Sequence, residues 1–238
     1  MDKATYVLVH GAFHGAWCWK RVAERLRAAG HAVHALSHTG SAERAHLLSG
    51  SLDLEVYLED ALALLESEEL RDVILVGHSL GGMTVSGVAD RRPELLRRLV
   101  YLDAIVPVNG GLRLRETLPA EVYEERQKKA REVRGVRCFM PPHPGYFGVT
   151  DPADVEWVGR RMTPMAVALL ESDLALTHPI GNGVPATYVR CTSPAMRMIE
   201  SEEQRARALG WEIRSLPTGH DAMVSMPGPT ADILLSFA

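Results

Sequence analysis

Asp72-Val73-Ile74-Leu75-Val76-Gly77-His78-Ser79-Leu80-Gly81-Gly82 is the stretch that decides the architecture. Its first half is an apolar, β-branched run of the kind that forms a buried strand. Its second half opens a helix predicted over residues 80–89. A G-x-S-x-G pentapeptide stands between them, so the serine has to occupy a sharp strand-to-helix turn. Gly77 and Gly81 suit such a turn, because strand and helix approach too closely there for a Cβ on either side. The turn lifts the Ser79 hydroxyl into the open, with the Leu80 N–H aimed at whatever it attacks. Ser79 is the candidate nucleophile.

The rest of the chain alternates in the same way. Strands are predicted over residues 4–9, 31–36, 72–77, 98–103, 186–191 and 211–216. The segment 17–29 carries Trp19, Val22, Ala23 and Leu26 at the spacing of an amphipathic helix, and Gly30 ends it. Leu54, Leu58, Ala61, Leu62 and Leu65 make a second apolar stripe over 53–66. Further helices are expected at 199–209 and near Ala231. Such alternation implies an α/β protein: a mostly parallel sheet of about six strands with helices on both faces. Residues 108–180 break the pattern with repeated prolines and a concentration of aromatic and methionine side chains. They are too long for a connection and read as a small helical cap inserted into a core formed by 1–107 and 181–238.

Composition narrows the function classes. The 238 residues carry a net charge of −4, with 46% hydrophobic and 24% charged residues, the balance of an ordinary globular chain. Arg91-Arg92, Arg97-Arg98 and the basic residues between 126 and 137 are interspersed with glutamates or leucines. They read as solvated helix faces, so no nucleic-acid partner is expected. Three cysteines, Cys18, Cys138 and Cys191, form no disulfide framework. No run approaches membrane-spanning length, and the first strand leaves no room for a leader, so a reducing cytoplasm is the expected location. Self-association into a homodimer is left open.

A serine hydroxyl needs a base within hydrogen-bond reach and a third group to orient that base. Of the ten histidines, His220 is the best base, because Pro217-Thr218-Gly219-His220-Asp221 follows the last strand at the edge where parallel sheets bind ligands. The bland alternative is a histidine that only caps its loop. Ala12, in the glycine-rich His10-Gly11-Ala12-Phe13-His14-Gly15 loop after the first strand, is the candidate second oxyanion donor beside Leu80. His10 and His14 share metal-ligand spacing, but no carboxylate accompanies them, and no metal or cofactor is expected. The acid is less determined. The segment Cys191-Thr192-Ser193-Pro194-Ala195, just after the penultimate strand, holds no carboxylate. Asp103 at the end of the 98–103 strand is the first candidate, with Glu200 or Glu202 and an acid-free dyad as alternatives. Asp221 adjoins His220 too closely to fold back on its ring.

Four segments together resemble the α/β-hydrolase superfamily: residues 8–19, 76–83, 99–104 and 219–223. The resemblance sharpens to the branch of plant methylesterases, hydroxynitrile lyases and bacterial pyrethroid-hydrolase-like carboxylesterases. It implies Ser79 as nucleophile, His220 as base and Ala12 and Leu80 as oxyanion donors. Phe13, His14, His78 and Met223, which lie in the motif loops, are the candidate pocket residues. The lyases of that branch place a threonine where Gly11 stands and a lysine where Asp221 stands, which argues against lyase chemistry.

The expected function is hydrolysis of a small apolar or aromatic carboxylic ester through an acyl-enzyme. A homologue that binds its ligand without efficient turnover is the rival from another class, motivated by the missing acid after Cys191. Amide, C–C or perhydrolase chemistry on the same residues is a third reading.

Overall fold

Six strands form the central sheet of the computed structural model, which describes residues 3–238. They are β1 (Thr5–Val9), β2 (Ala32–Leu36), β3 (Val73–His78), β4 (Leu96–Leu102), β5 (Ala186–Cys191) and β6 (Glu212–Leu216). Their order is β6-β5-β4-β3-β1-β2, and every adjacent pair is parallel. This is the α/β arrangement expected from the sequence. Parallel neighbours require crossovers, and α1 (Lys20–Ala28), α2 (Leu54–Ser67) and α3 (Gly81–Arg91) supply the first three.

Side-chain alternation along β3 shows why its run is apolar throughout. Val73 and Leu75 join the core beneath α2 and α3, whereas Ile74 and Val76 join the core beneath α1 and the C-terminal helix Pro227–Leu235. A strand covered on both faces has no polar side to show. Each such aliphatic side chain contributes about 1.5–3 kcal/mol by its burial. α2 buries Leu54, Tyr57, Leu58, Ala61, Leu62 and Leu65, one face of a 3.6-residue period. The Asp53 carboxylate starts that helix by accepting from the Val56 N–H at 2.9 Å. The helix predicted over 17–29 begins instead as a 3₁₀ turn, Ala16–Trp19, before α1.

Between β4 and β5 the chain leaves the sheet. It makes the helices Ala120–Lys129, Pro152–Gly159 and Val167–Glu171, as the sequence suggests. It also makes short antiparallel strands: Gly111–Arg113 pairs with Asp173–Ala175, and Val136–Phe139 pairs with both Arg131–Val133 and Met165–Ala166. Strands this short are below the length at which alternation can be read. The insertion touches the loops at the sheet's C-terminal edge. Thr163 N–H donates to the Phe13 carbonyl at 2.9 Å, and Asp221 N–H donates to the Phe147 carbonyl at 3.1 Å.

Candidate active site

Ser79, Asp103 and His220 follow the C-terminal ends of β3, β4 and β6, and the Gly11–Phe13 loop follows β1. Strand direction alone puts all four on one edge of the sheet. Ser79 has φ 54°, a left-handed conformation that non-glycine residues seldom adopt. The turn is tight enough that a Cβ on Gly77 would lie 2.7 Å from the Gly81 carbonyl oxygen. Its strain is held by three backbone bonds. Ser79 N–H donates to Leu102 O at 3.3 Å, and Ser79 O accepts from Gly82 N–H at 3.1 Å and Ile105 N–H at 2.9 Å. Phe13 (φ 68°) and Asp103 (φ 44°), on the neighbouring loops, share the left-handed conformation.

Asp103 is fully buried. Its Oδ2 accepts from His220 Nδ1 at 2.8 Å, and its Oδ1 accepts from Arg190 Nη1 at 2.6 Å and from Cys191 N–H at 3.1 Å. A carboxylate that faces three donors requires the proton on His220 Nδ1, which leaves Nε2 with its lone pair. The other acids are occupied elsewhere. Glu202 accepts from Val106 N–H at 2.8 Å and pairs with Arg205, Glu200 is exposed, and Asp221 turns to His14. The end of β5 thus gives the site a backbone donor, Cys191 N–H, and the segment that follows it supplies no acid. Arg190 went unrecognised in the sequence. The signal was present: a lone guanidinium in Ala186–Cys191, a strand that is otherwise apolar apart from one threonine and wholly buried.

Ala12 and Leu80 both line the cavity at Ser79. Among the described residues, neither amide donates to a protein acceptor. Each amide belongs to a peptide plane whose carbonyl is clamped. Gly11 O accepts from His10 Nδ1 at 2.7 Å, and Ser79 O accepts the two bonds described above. In a planar trans peptide the N–H points opposite its C=O, so fixing the carbonyl fixes the donor. His10 Nε2 accepts from His38 N–H at 3.1 Å, which assigns the ring's proton to Nδ1. Burial first, then the neighbouring His38, hold His10 well below the ordinary histidine pKa, keeping it neutral.

Of the other residues anticipated near the substrate, Phe13 lines the cavity, whereas His14, His78 and Met223 are buried and are not among its lining. His14 donates to Ala12 O at 2.7 Å through Nδ1 and to Asp221 Oδ2 at 2.9 Å through Nε2. Burial pushes its pKa down, but the Asp221 charge and these hydrogen bonds outweigh that and raise it above the ordinary histidine value. His78 donates through Nε2 to the His220 carbonyl at 3.0 Å. Burial and then His220 hold it well below the usual range. These side chains brace the His220 loop from behind. Asp221 is bonded to His14 and is not among the cavity's lining, so of the two positions that distinguish the lyases only position 11 lies beside the serine. A Cβ there would stand 2.7 Å from Ser79 Cβ, which leaves no room for the lyases' threonine.

The cavity holding Ser79 and His220 is narrow, about 70 Å³, and walled mainly by apolar side chains such as Leu80, Ile105, Leu170 and Met196. It shares Phe13, Arg126 and Tyr146 with a larger vestibule of about 730 Å³ formed by the insertion.

A parallel six-stranded sheet with a left-handed serine after β3 and a buried carboxylate–histidine pair beside it defines the nucleophile-elbow class of α/β proteins. A model of the Alpha/beta hydrolase family matches residues 6–233, and the chain belongs to that family. It is 39% identical to the carbendazim hydrolyzing esterase of Nocardioides sp. (strain SG-4G), covering 98% of this chain and 99% of that one. It is 38% identical to methylesterase 10 of Arabidopsis thaliana, over 98% of this chain and 91% of the relative. Among solved structures, an extracellular alpha/beta-hydrolase from a Paenibacillus species aligns with a TM-score of 0.84 at 21% identity over 99% of both chains. A pyrethroid hydrolase from Sphingobium faniae JZ-2 aligns at 0.71 with 23% identity, over 99% of this chain and 97% of that one. At such identities the structural likeness establishes the fold. No helix of the described residues is long and apolar enough to cross a membrane.

Proposed function

We propose that this protein is a serine carboxylic-ester hydrolase working through an acyl-enzyme. The observation that carries the reading is the buried Asp103–His220 bond of 2.8 Å beside a left-handed Ser79 in one narrow cavity. The near full-length esterase relatives support it. His220 Nε2 accepts the hydroxyl proton as Ser79 Oγ attacks the ester carbonyl, and Asp103 stabilises the resulting imidazolium. The Ala12 and Leu80 N–H groups donate to the developing oxyanion, a contribution of about 10²–10³ in rate for each donor. The imidazolium then protonates the departing alcohol. A water molecule repeats the sequence: its OH goes to the acyl group, its proton returns through His220, and Ser79 is regenerated. The narrow inner cavity suits a small group on one side of the ester, and the vestibule suits the larger remainder.

The test is steady-state hydrolysis of p-nitrophenyl acetate and butyrate by the parent and by Ser79→Ala. Loss of several orders of magnitude in kcat is the expected result. Parent-like turnover by Ser79→Ala refutes the mechanism, and one turnover per chain without a steady state points to the ligand-binding reading.

A further inference from the structure

Arg126, on the insertion helix Ala120–Lys129, lines both the cavity at Ser79 and the vestibule outside it. It is half-buried, and its one hydrogen bond goes to a neutral group, the Tyr146 hydroxyl at 3.2 Å. No carboxylate pairs with it among the described residues. Arg91, Arg92, Arg113 and Arg207 are each matched to a glutamate or aspartate, whereas Arg126 faces a cavity with only a hydroxyl beside it. The other charges of the vestibule do not supply the missing partner. Glu125 is engaged by Lys129 at 2.5 Å, and the exposed Arg131 adds a second guanidinium with no acid paired to it among the described residues. The wall therefore carries two uncompensated positive charges among Phe13, Phe139, Met140 and prolines. A guanidinium partly removed from water favours an anionic partner, and its planar fork matches a carboxylate with two parallel hydrogen bonds.

We propose that Arg126, assisted by Arg131, recognises a free carboxylate on the substrate, so that the preferred substrates are half-esters of dicarboxylic acids. The scissile ester sits at Ser79 and the ionised end meets Arg126 at the junction of the two cavities. This rests on the esterase reading and adds the substrate class to it. Arg126 lies on the route between vestibule and serine, so the carboxylate also orients the substrate, with the ester end entering first.

The experiment compares kcat/KM near neutral pH for the monomethyl and dimethyl esters of succinate, glutarate and adipate, in the parent, Arg126→Gln and Arg126→Lys. The expected result is a preference for the half-ester at one chain length. Arg126→Gln lowers the half-ester to diester ratio roughly 10- to 100-fold, the range of one charge-assisted hydrogen bond. Arg126→Lys keeps part of that ratio, and added salt erodes it. A ratio unchanged in Arg126→Gln, or a parent that prefers the diester at every length, overturns the proposal. Turnover of p-nitrophenyl acetate in that situation leaves the esterase reading standing, whereas a parent inert toward every ester overturns both. Competitive inhibition by the free dicarboxylates, weaker for Arg126→Gln, gives a second readout that does not depend on the chemical step.

Discussion

Asp103→Asn changes one atom in a fully buried residue, and the surrounding donors dictate how the new amide must sit. The Oδ1 position faces two donors, Arg190 Nη1 at 2.6 Å and Cys191 N–H at 3.1 Å. An NH₂ placed there would meet both head-on, so the amide oxygen takes that side and the NH₂ turns to His220 Nδ1. A donor at Nδ1 forces the imidazole proton onto Nε2, the nitrogen that has to accept from Ser79. The side chain remains in place, but the base is held in the wrong tautomer. In a serine protease with a Ser-His-Asp triad, the same exchange lowers kcat about 10⁴-fold. A loss of roughly 10³–10⁴ in kcat with KM within a few-fold is expected here. Stability should fall too, because Arg190 is buried and loses its full counter-charge. Breaking a buried pair outright costs about 3–5 kcal/mol. Since the amide oxygen, Glu203 at 3.8 Å and the Met196 carbonyl at 3.4 Å remain near Arg190, about 1–3 kcal/mol is a better expectation. At about 2–4 °C per kcal/mol for a domain of this size, Tm should drop by roughly 2–12 °C. p-Nitrophenyl acetate hydrolysis and a thermal melt on the same preparation give both numbers. A folded Asp103→Asn variant within ten-fold of the parent refutes the tautomer argument and the assignment of Asp103.

The remaining predictions concern the histidines. His10→Phe removes the clamp on the Gly11 carbonyl and should lower kcat about 10- to 100-fold with little change in KM, part of the value of one oxyanion donor; a lower Tm with unchanged kcat would reduce His10 to a packing residue. His10, His38 and His78 are held neutral mainly by burial, below the ordinary value of 6.5. The unfolded chain takes up protons that the folded one refuses as pH falls below about 6.5, so stability drops by up to about 1.4 kcal/mol per pH unit for each ring. Melting curves between pH 7 and 5.5 check this, and a level Tm contradicts it. His14 has the opposite sign, since its raised pKa stabilises the fold below 6.5 and the contribution disappears as pH rises through the folded value. His14→Gln should accordingly flatten the alkaline side of the same profile.

The sequence by itself determined the sheet and the elbow, and it singled out His220 as the candidate base. Periodicity and glycine placement are local properties, and β3 with Ser79 and α3 is a local unit whose turn is written into Gly77 and Gly81. The direction of parallel strands then carries His220 to the same edge without further information. Three things were decided only by the tertiary structure. The partner of His220 lies 117 residues away along the chain, and Asp103 was chosen over Glu202 and Asp221 by contacts those acids make elsewhere. The functions of Arg190 and His10 depend on what they touch, because a guanidinium braces a carboxylate, or a ring clamps a peptide, only when folding brings the two together. His14, His78 and Met223 sit in the motif loops that suggested a pocket, yet packing turned them into the scaffold behind it. Spacing along a chain fixes which loop a side chain belongs to, whereas its direction from that loop is set by the neighbours that bury it.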